Sequence, residues 1–224
     1  MLIRKELMKT AVIGVGNMGS RYAGLLQDGM IDGLELAALT RVRGKIRDLL
    51  QPSIDRGIPV FESAEDLFYA CEQGKLSLDA VIIATPHYSH EKIAVRAFGN
   101  GLHVLSDKPS GVYSRQARQM EEAALQSGKT FSMVFNQRAL PLYQTLKEIV
   151  DSGRFGALKR VSWVVTDWYR PESYYTSSSW HATWAGDGGG ILLNQCPITW
   201  IFSSGSAACL PGSRHSAERA VSIT

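Results

Sequence analysis

The feature that most constrains the fold is Gly14-Val15-Gly16-Asn17-Met18-Gly19, which stands between an apolar, β-branched run and a helix-like segment. Each glycine in a G-x-G-x-x-G turn has its own reason. The first permits the tight turn, the second lets backbone approach a pyrophosphate, and the third allows the helix to pack closely on the strand. The helix N-terminus then faces the phosphate charge. Placed here, the motif predicts a strand-turn-helix that binds a dinucleotide, with Gly14, Gly16, Asn17, Met18 and Gly19 in contact with it.

The rest of the first half continues in kind. Strand-like runs at Thr10–Val15, Leu34–Thr40, Pro59–Phe61, Ala80–Thr85, Leu102–Leu105 and Thr130–Phe135 alternate with helix-length segments, the pattern of a parallel sheet wrapped by helices. The last of these helices begins near Ser114 and meets Gly128 where a C-terminal glycine cap belongs. The expected architecture is α/β: a Rossmann domain over 1–127, then from 128 the opening part of an α+β substrate domain. In that second part Leu140–Ser152 reads as an amphipathic helix stopped by Gly153, and Leu158–Trp168 as an alternating strand. Thr176–Ser179 reads as a mobile Ser-rich loop.

About 20 residues past the glycines, an acidic residue would accept hydrogen bonds from the ribose 2′-hydroxyl of NAD. The sequence there is Leu39-Thr40-Arg41-Val42-Arg43, with no carboxylate. Arg41 can pair with a 2′-phosphate, so the reading is NAD(P), leaning to NADP.

Composition narrows the partners. With 24 Lys and Arg against 21 Asp and Glu, and no dense basic cluster, a nucleic-acid footprint is not expected. No apolar run is long enough to span a bilayer, and the charged start from Met1 to Thr10 lacks a signal-peptide core. The expected location is the cytoplasm and the expected partner a small polar molecule. Cys71, Cys196 and Cys209 lack C-x-x-C spacing, and His87 with His90 lacks a completing ligand cluster, so no metal is expected.

Four further ordered motifs carry a resemblance. Ala84-Thr85-Pro86 through His90 leads to Gly101-Leu102-His103-Val104-Leu105-Ser106-Asp107-Lys108-Pro109. Asn136-Gln137-Arg138, the aromatic run Trp180 to Trp184, and Gly188-Gly189-Gly190 through Asn194-Gln195-Cys196-Pro197 follow. Over about residues 9 to 197 the chain resembles the Gfo/Idh/MocA family of glucose-fructose oxidoreductases and inositol dehydrogenases. The resemblance implies NAD(P)-dependent oxidation or reduction of a hydroxyl on a sugar, cyclitol or related polyol. It also implies a cofactor site including Thr85, Pro86, His90, Asp107, Lys108 and Asn136, with Asn194 on the substrate. Asp107 stands where the family has Glu. Lys108 is the expected catalytic group, its ammonium able to stabilise charge developing on the substrate oxygen. The aromatic residues could stack on a sugar face or pack between domains.

After Pro197 the family pattern calls for a histidine that acts as acid/base, then a helix containing Leu-Asp; this chain reads Ile198-Thr199-Trp200-Ile201 instead. Read one nucleotide earlier, the permitted codons allow His at 198 and force an Asp across Trp200 and Ile201. Residues 198–224 are therefore expected to be a frameshifted tail. The intact family implies a homo-oligomer, against which the interrupted second domain argues here. The alternative expectation is a catalytically impaired, dinucleotide-binding remnant.

Overall fold

In a computed structural model, the structure describes residues 7–41, 47–157, 159–160, 164, 169–176, 180–190 and 193. The first compact unit runs through Met133 and the second begins at Val134. In the first, β1 (Met8–Ile13), β2 (Leu34–Thr40), β3 (Val60–Phe61), β4 (Ala80–Ile83), β5 (His103–Ser106) and β6 (Phe131–Met133) alternate with helices. The helices are α1 (Asn17–Gln27), α2 (Arg47–Asp55), α3 (Ala64–Glu72), α4 (His90–Gly99) and α5 (Ser114–Ser127). The six strands lie in the order β3-β2-β1-β4-β5-β6 and every pair is parallel.

The doubly wound arrangement follows from the pleat. Successive side chains of a strand point to opposite faces, so a strand apolar on both must be covered on both. Ile13, Val81, Ile83 and Val104 pack with Leu67, Phe68, Ala94, Ala97, Phe98 and Met120 from α3, α4 and α5. Val12, Leu39 and Ile82 pack with Ala23, Leu26 and Leu50 from α1 and α2. Phe68 is 1% exposed, and burial of such a side chain is worth ~1.5–3 kcal/mol. Both faces being covered, ligands are left the carboxyl ends of the strands. The strand order reverses between β1 and β4, the crevice where open α/β sheets bind them.

The predicted α/β class and six-strand set are present, and Leu34–Thr40 keeps its predicted limits. The other strands shift by one or two residues. The Ala80–Thr85 run ends at Ile83, because Thr85 and Pro86 have already turned toward α4. Gly128 caps α5 in the left-handed conformation at φ 67°.

The second unit contains a 3-10 turn at Asn136–Ala139, then α6 (Pro141–Asp151) and α7 (Glu172–Thr176). Proline at the first helical position suits α6, since that N–H has no helical acceptor. Thr176, predicted as loop, is instead the last residue of α7. The strand expected at 158–168 and the loop at 177–179 fall largely outside the described residues. The tail from 198 lies wholly outside them.

Candidate active site

The glycine turn is pinned from the side by β2. Gly14 N–H donates to Thr40 Oγ1 at 2.9 Å, and Val15 N–H to the Thr40 carbonyl at 3.1 Å. Gly14 sits at φ +93°, where a Cβ would meet Thr85 Cγ2 at 2.6 Å, so only glycine makes this turn without strain. At Gly19 a Cβ would collide with the Gly14 carbonyl. At Gly16 the same added atom would meet nothing within 4 Å, although φ is an ordinary −101°. The first and third glycines thus serve the fold. The second serves open space in front of α1.

That helix start is suited to an anion. No side chain caps it and its first turn carries no acidic residue, so the free N–H groups and the helix dipole face outward. Asn17 and Met18 are exposed beside it.

A cleft of about 360 Å³ opens at the same edge of the sheet, where Gly14, Thr40, Arg41, Glu65, Thr85, Pro86, Ser89 and Lys92 line it. It brings together Gly14, Arg41, Thr85 and Pro86 from the sequence-predicted set. Thr40, Ser89 and Lys92 were not singled out. Thr40 carries a signal, as a hydroxyl that follows the apolar run Leu36–Leu39. Arg41 Nη1 is held by both oxygens of Glu62, at 3.1 and 3.2 Å.

His90 stands behind this surface. It is fully buried at the start of α4, with Nε2 2.7 Å from the Thr85 carbonyl and Nδ1 2.8 Å from the Pro109 carbonyl. Carbonyl oxygens only accept, so the ring is the donor in each hydrogen bond it makes there. It ties the turn after β4 to the turn after β5, and both its nitrogens face carbonyl groups rather than open space.

The turn after β5 presents Asp107 and Lys108, followed by a cis Lys108–Pro109 bond. Asp107 N–H donates to the Ile83 carbonyl at 2.8 Å, and Lys108 N–H donates to Asp107 Oδ1 at 2.9 Å. Burial pushes the Asp107 carboxyl above its ordinary range, against the opposing pull of the Lys108 N–H and the charges of Lys108 and His90. Burial, with Asp107 nearby, likewise pushes the Tyr22 phenol up, and its hydroxyl is enclosed without a partner among the described residues. Lys108 itself is half-buried at the carboxyl end of β5. Asn136 is exposed at the start of the second unit, and Asn194 lies outside the described residues.

Residues 8–135 match the model of an oxidoreductase family with an NAD-binding Rossmann fold, and residues 143–199 match the GFO/IDH/MocA C-terminal domain. The chain belongs to the Gfo/Idh/MocA oxidoreductase family. Among relatives of this Gfo/Idh/MocA protein, inositol 2-dehydrogenase of Streptomyces avermitilis is 31% identical over 152 residues, covering 67% of this chain and 42% of the relative. The scyllo-inositol dehydrogenase of Lactobacillus casei, solved with NAD(H) and scyllo-inositol, is 25% identical with a TM-score of 0.59. That match covers 67% of this chain and 43% of the other. The WlbA dehydrogenase of Bordetella pertussis, solved with NADH and UDP-GlcNAcA, shares the fold at a TM-score of 0.74 and 24% identity. There the coverage is 91% of this chain and 56% of the other. This Gfo/Idh/MocA chain thus spans less than half the length of the curated inositol dehydrogenase it matches. Among its described residues no helix is long and apolar enough to cross a membrane.

Proposed function

We propose that this protein is an NAD(P)-dependent dehydrogenase acting on a hydroxyl of a sugar, cyclitol or related polyol. One observation carries the reading: the open glycine turn after β1, the Thr85-Pro86 turn after β4 and Lys108 after β5 share one edge of the sheet, at its switch point. The uncapped start of α1 and the open space at Gly16 fit a pyrophosphate, and the cleft beside Arg41 fits an adenosine. Gly14, Gly16, Asn17, Met18, Gly19, Arg41, Thr85 and Pro86 would hold the cofactor, with Asn136 completing the set. His90 and Asp107 support it by fixing the turns. When bound, the nicotinamide supplies the hydride donor or acceptor. Lys108 would hydrogen-bond the substrate oxygen and stabilise its developing negative charge, and Asn194 would orient the substrate. Arg41 is the feature in favour of NADP, as a cation where NAD-binding sites carry an acid. The polyol class is supported by what the inositol dehydrogenases act on.

A second reading has its own observation. Ile198 stands where the family's acid/base histidine belongs, which supports a dinucleotide-binding protein without turnover. A cytoplasmic location and, for an intact family member, a homo-oligomer accompany the first reading.

Calorimetry with NAD and NADP, followed by cofactor reduction against a panel of inositols and sugars, tests both. Micromolar binding with turnover that Lys108→Met lowers by about a hundredfold or more, at little change in cofactor affinity, supports the dehydrogenase. Binding without turnover supports the second reading. Absence of binding refutes both.

A further inference from the structure

The cleft that receives adenosine in the proposed reading is lined by Arg41, whose carboxylate partner, Glu62, the glycine motif does not reveal. Thr40 pairs with Phe61 across β2 and β3, and Arg41 N–H donates to the Phe61 carbonyl at 3.0 Å. Arg41 and Glu62 are therefore the first residues beyond two adjacent parallel strands, and the backbone sets them side by side. Their side chains meet, with Arg41 Nη1 3.1 Å from Glu62 Oε1 and 3.2 Å from Oε2. The pairing follows from strand register and not only from two flexible side chains.

We propose that Glu62 is a specificity-determining residue for the cofactor: by holding Arg41 it disfavours a ribose 2′-phosphate, so the protein prefers NAD. This rests on the dinucleotide reading of the cleft and reverses the preference that Arg41 alone suggests. A 2′-phosphate carries up to two negative charges at neutral pH and needs a cation free to pair with it. Here the guanidinium already shares its charge with a carboxylate. A phosphate arriving at Arg41 must displace Glu62 or lie beside it, and like charges that close repel. A 2′-hydroxyl meets neither penalty. Among the described residues, the other charged groups lining the cleft, Lys92 and Glu65, are one of each sign.

The test is to titrate NAD and NADP into the 224-residue protein and into Glu62→Gln, Glu62→Ser, Arg41→Met and the Glu62→Gln/Arg41→Met double variant. Circular dichroism checks that each is folded. Glu62 is exposed, its side chain 71% accessible, so both of its replacements are expected to fold. The parent should bind NAD more tightly. Glu62→Gln and Glu62→Ser should strengthen NADP binding by about fivefold, the upper range of an exposed ion-pair coupling, and change NAD binding by less than about twofold. The gain should vanish when Arg41 is also replaced, and shrink in high salt. A parent that prefers NADP overturns the proposal. So does a Glu62 replacement that moves both cofactors equally or neither, or a gain that persists without Arg41. A folded parent that binds neither cofactor refutes the dinucleotide reading itself, and Glu62 with it.

Discussion

Replacing Gly16 by Val separates the needs of the fold from the needs of the ligand. The backbone at Gly16, φ −101° and ψ −153°, is open to any L residue, and an added Cβ meets no protein atom within 4 Å. Folding should therefore change by no more than about 1 kcal/mol, the balance of a lost glycine N-cap and a less flexible unfolded chain. Binding should not survive. A branched side chain would stand in front of the α1 N–H groups, and loss of the pyrophosphate contact should weaken affinity by about a hundredfold or more, ~2.7 kcal/mol. Gly19→Ala is the contrast, because its Cβ collides with the Gly14 carbonyl and α1 must move away from the sheet, at ~1–3 kcal/mol. Urea unfolding and calorimetry with NAD on all three proteins make the comparison. Unchanged affinity in Gly16→Val refutes the assignment. Equal destabilisation of the two variants refutes the division of labour between the glycines.

Two predictions concern the turns behind the cleft. His90→Ala removes the buried ring packed between the Thr85 and Pro109 carbonyls together with the N–H it donates there, and should cost ~2–4 kcal/mol in urea unfolding; a loss below about 1 kcal/mol would show that the ring does not hold the two turns together. Asp107 has a folded-state pKa raised by burial, so the folded chain holds its proton more tightly than the unfolded one. Its ionisation therefore subtracts stability as pH rises from the unfolded carboxylate value through the raised folded one. Asp107→Asn removes that penalty. The variant should gain on the parent as pH rises through this window and show no such gain below it; urea midpoints across the acid range would reveal a flat or falling difference if the reasoning is wrong.

What the sequence made legible was local. Leu34–Thr40 is readable to the residue because a mostly apolar run lies between Gly33 and a charged Arg41, and α5 because its glycine cap sits at φ 67° as that position demands. The Thr130–Phe135 run is longer than β6, whose register with β5 covers Phe131–Met133 before the second unit begins at Val134. The short α7, Glu172–Thr176, offers too few residues for a helical period to show. The site's supports were hidden for a different reason. Thr40 reaches Gly14 across 26 positions, His90 reaches Pro109 across 19, and Arg41 reaches Glu62 across 21. Each contact exists only because parallel strands bring their carboxyl ends to one edge. Counting forward from the glycine motif arrives at Arg41 and finds a cation, so the sequence favours a 2′-phosphate. The carboxylate arrives from the next strand of the sheet, and the charge at that position is set by both residues together.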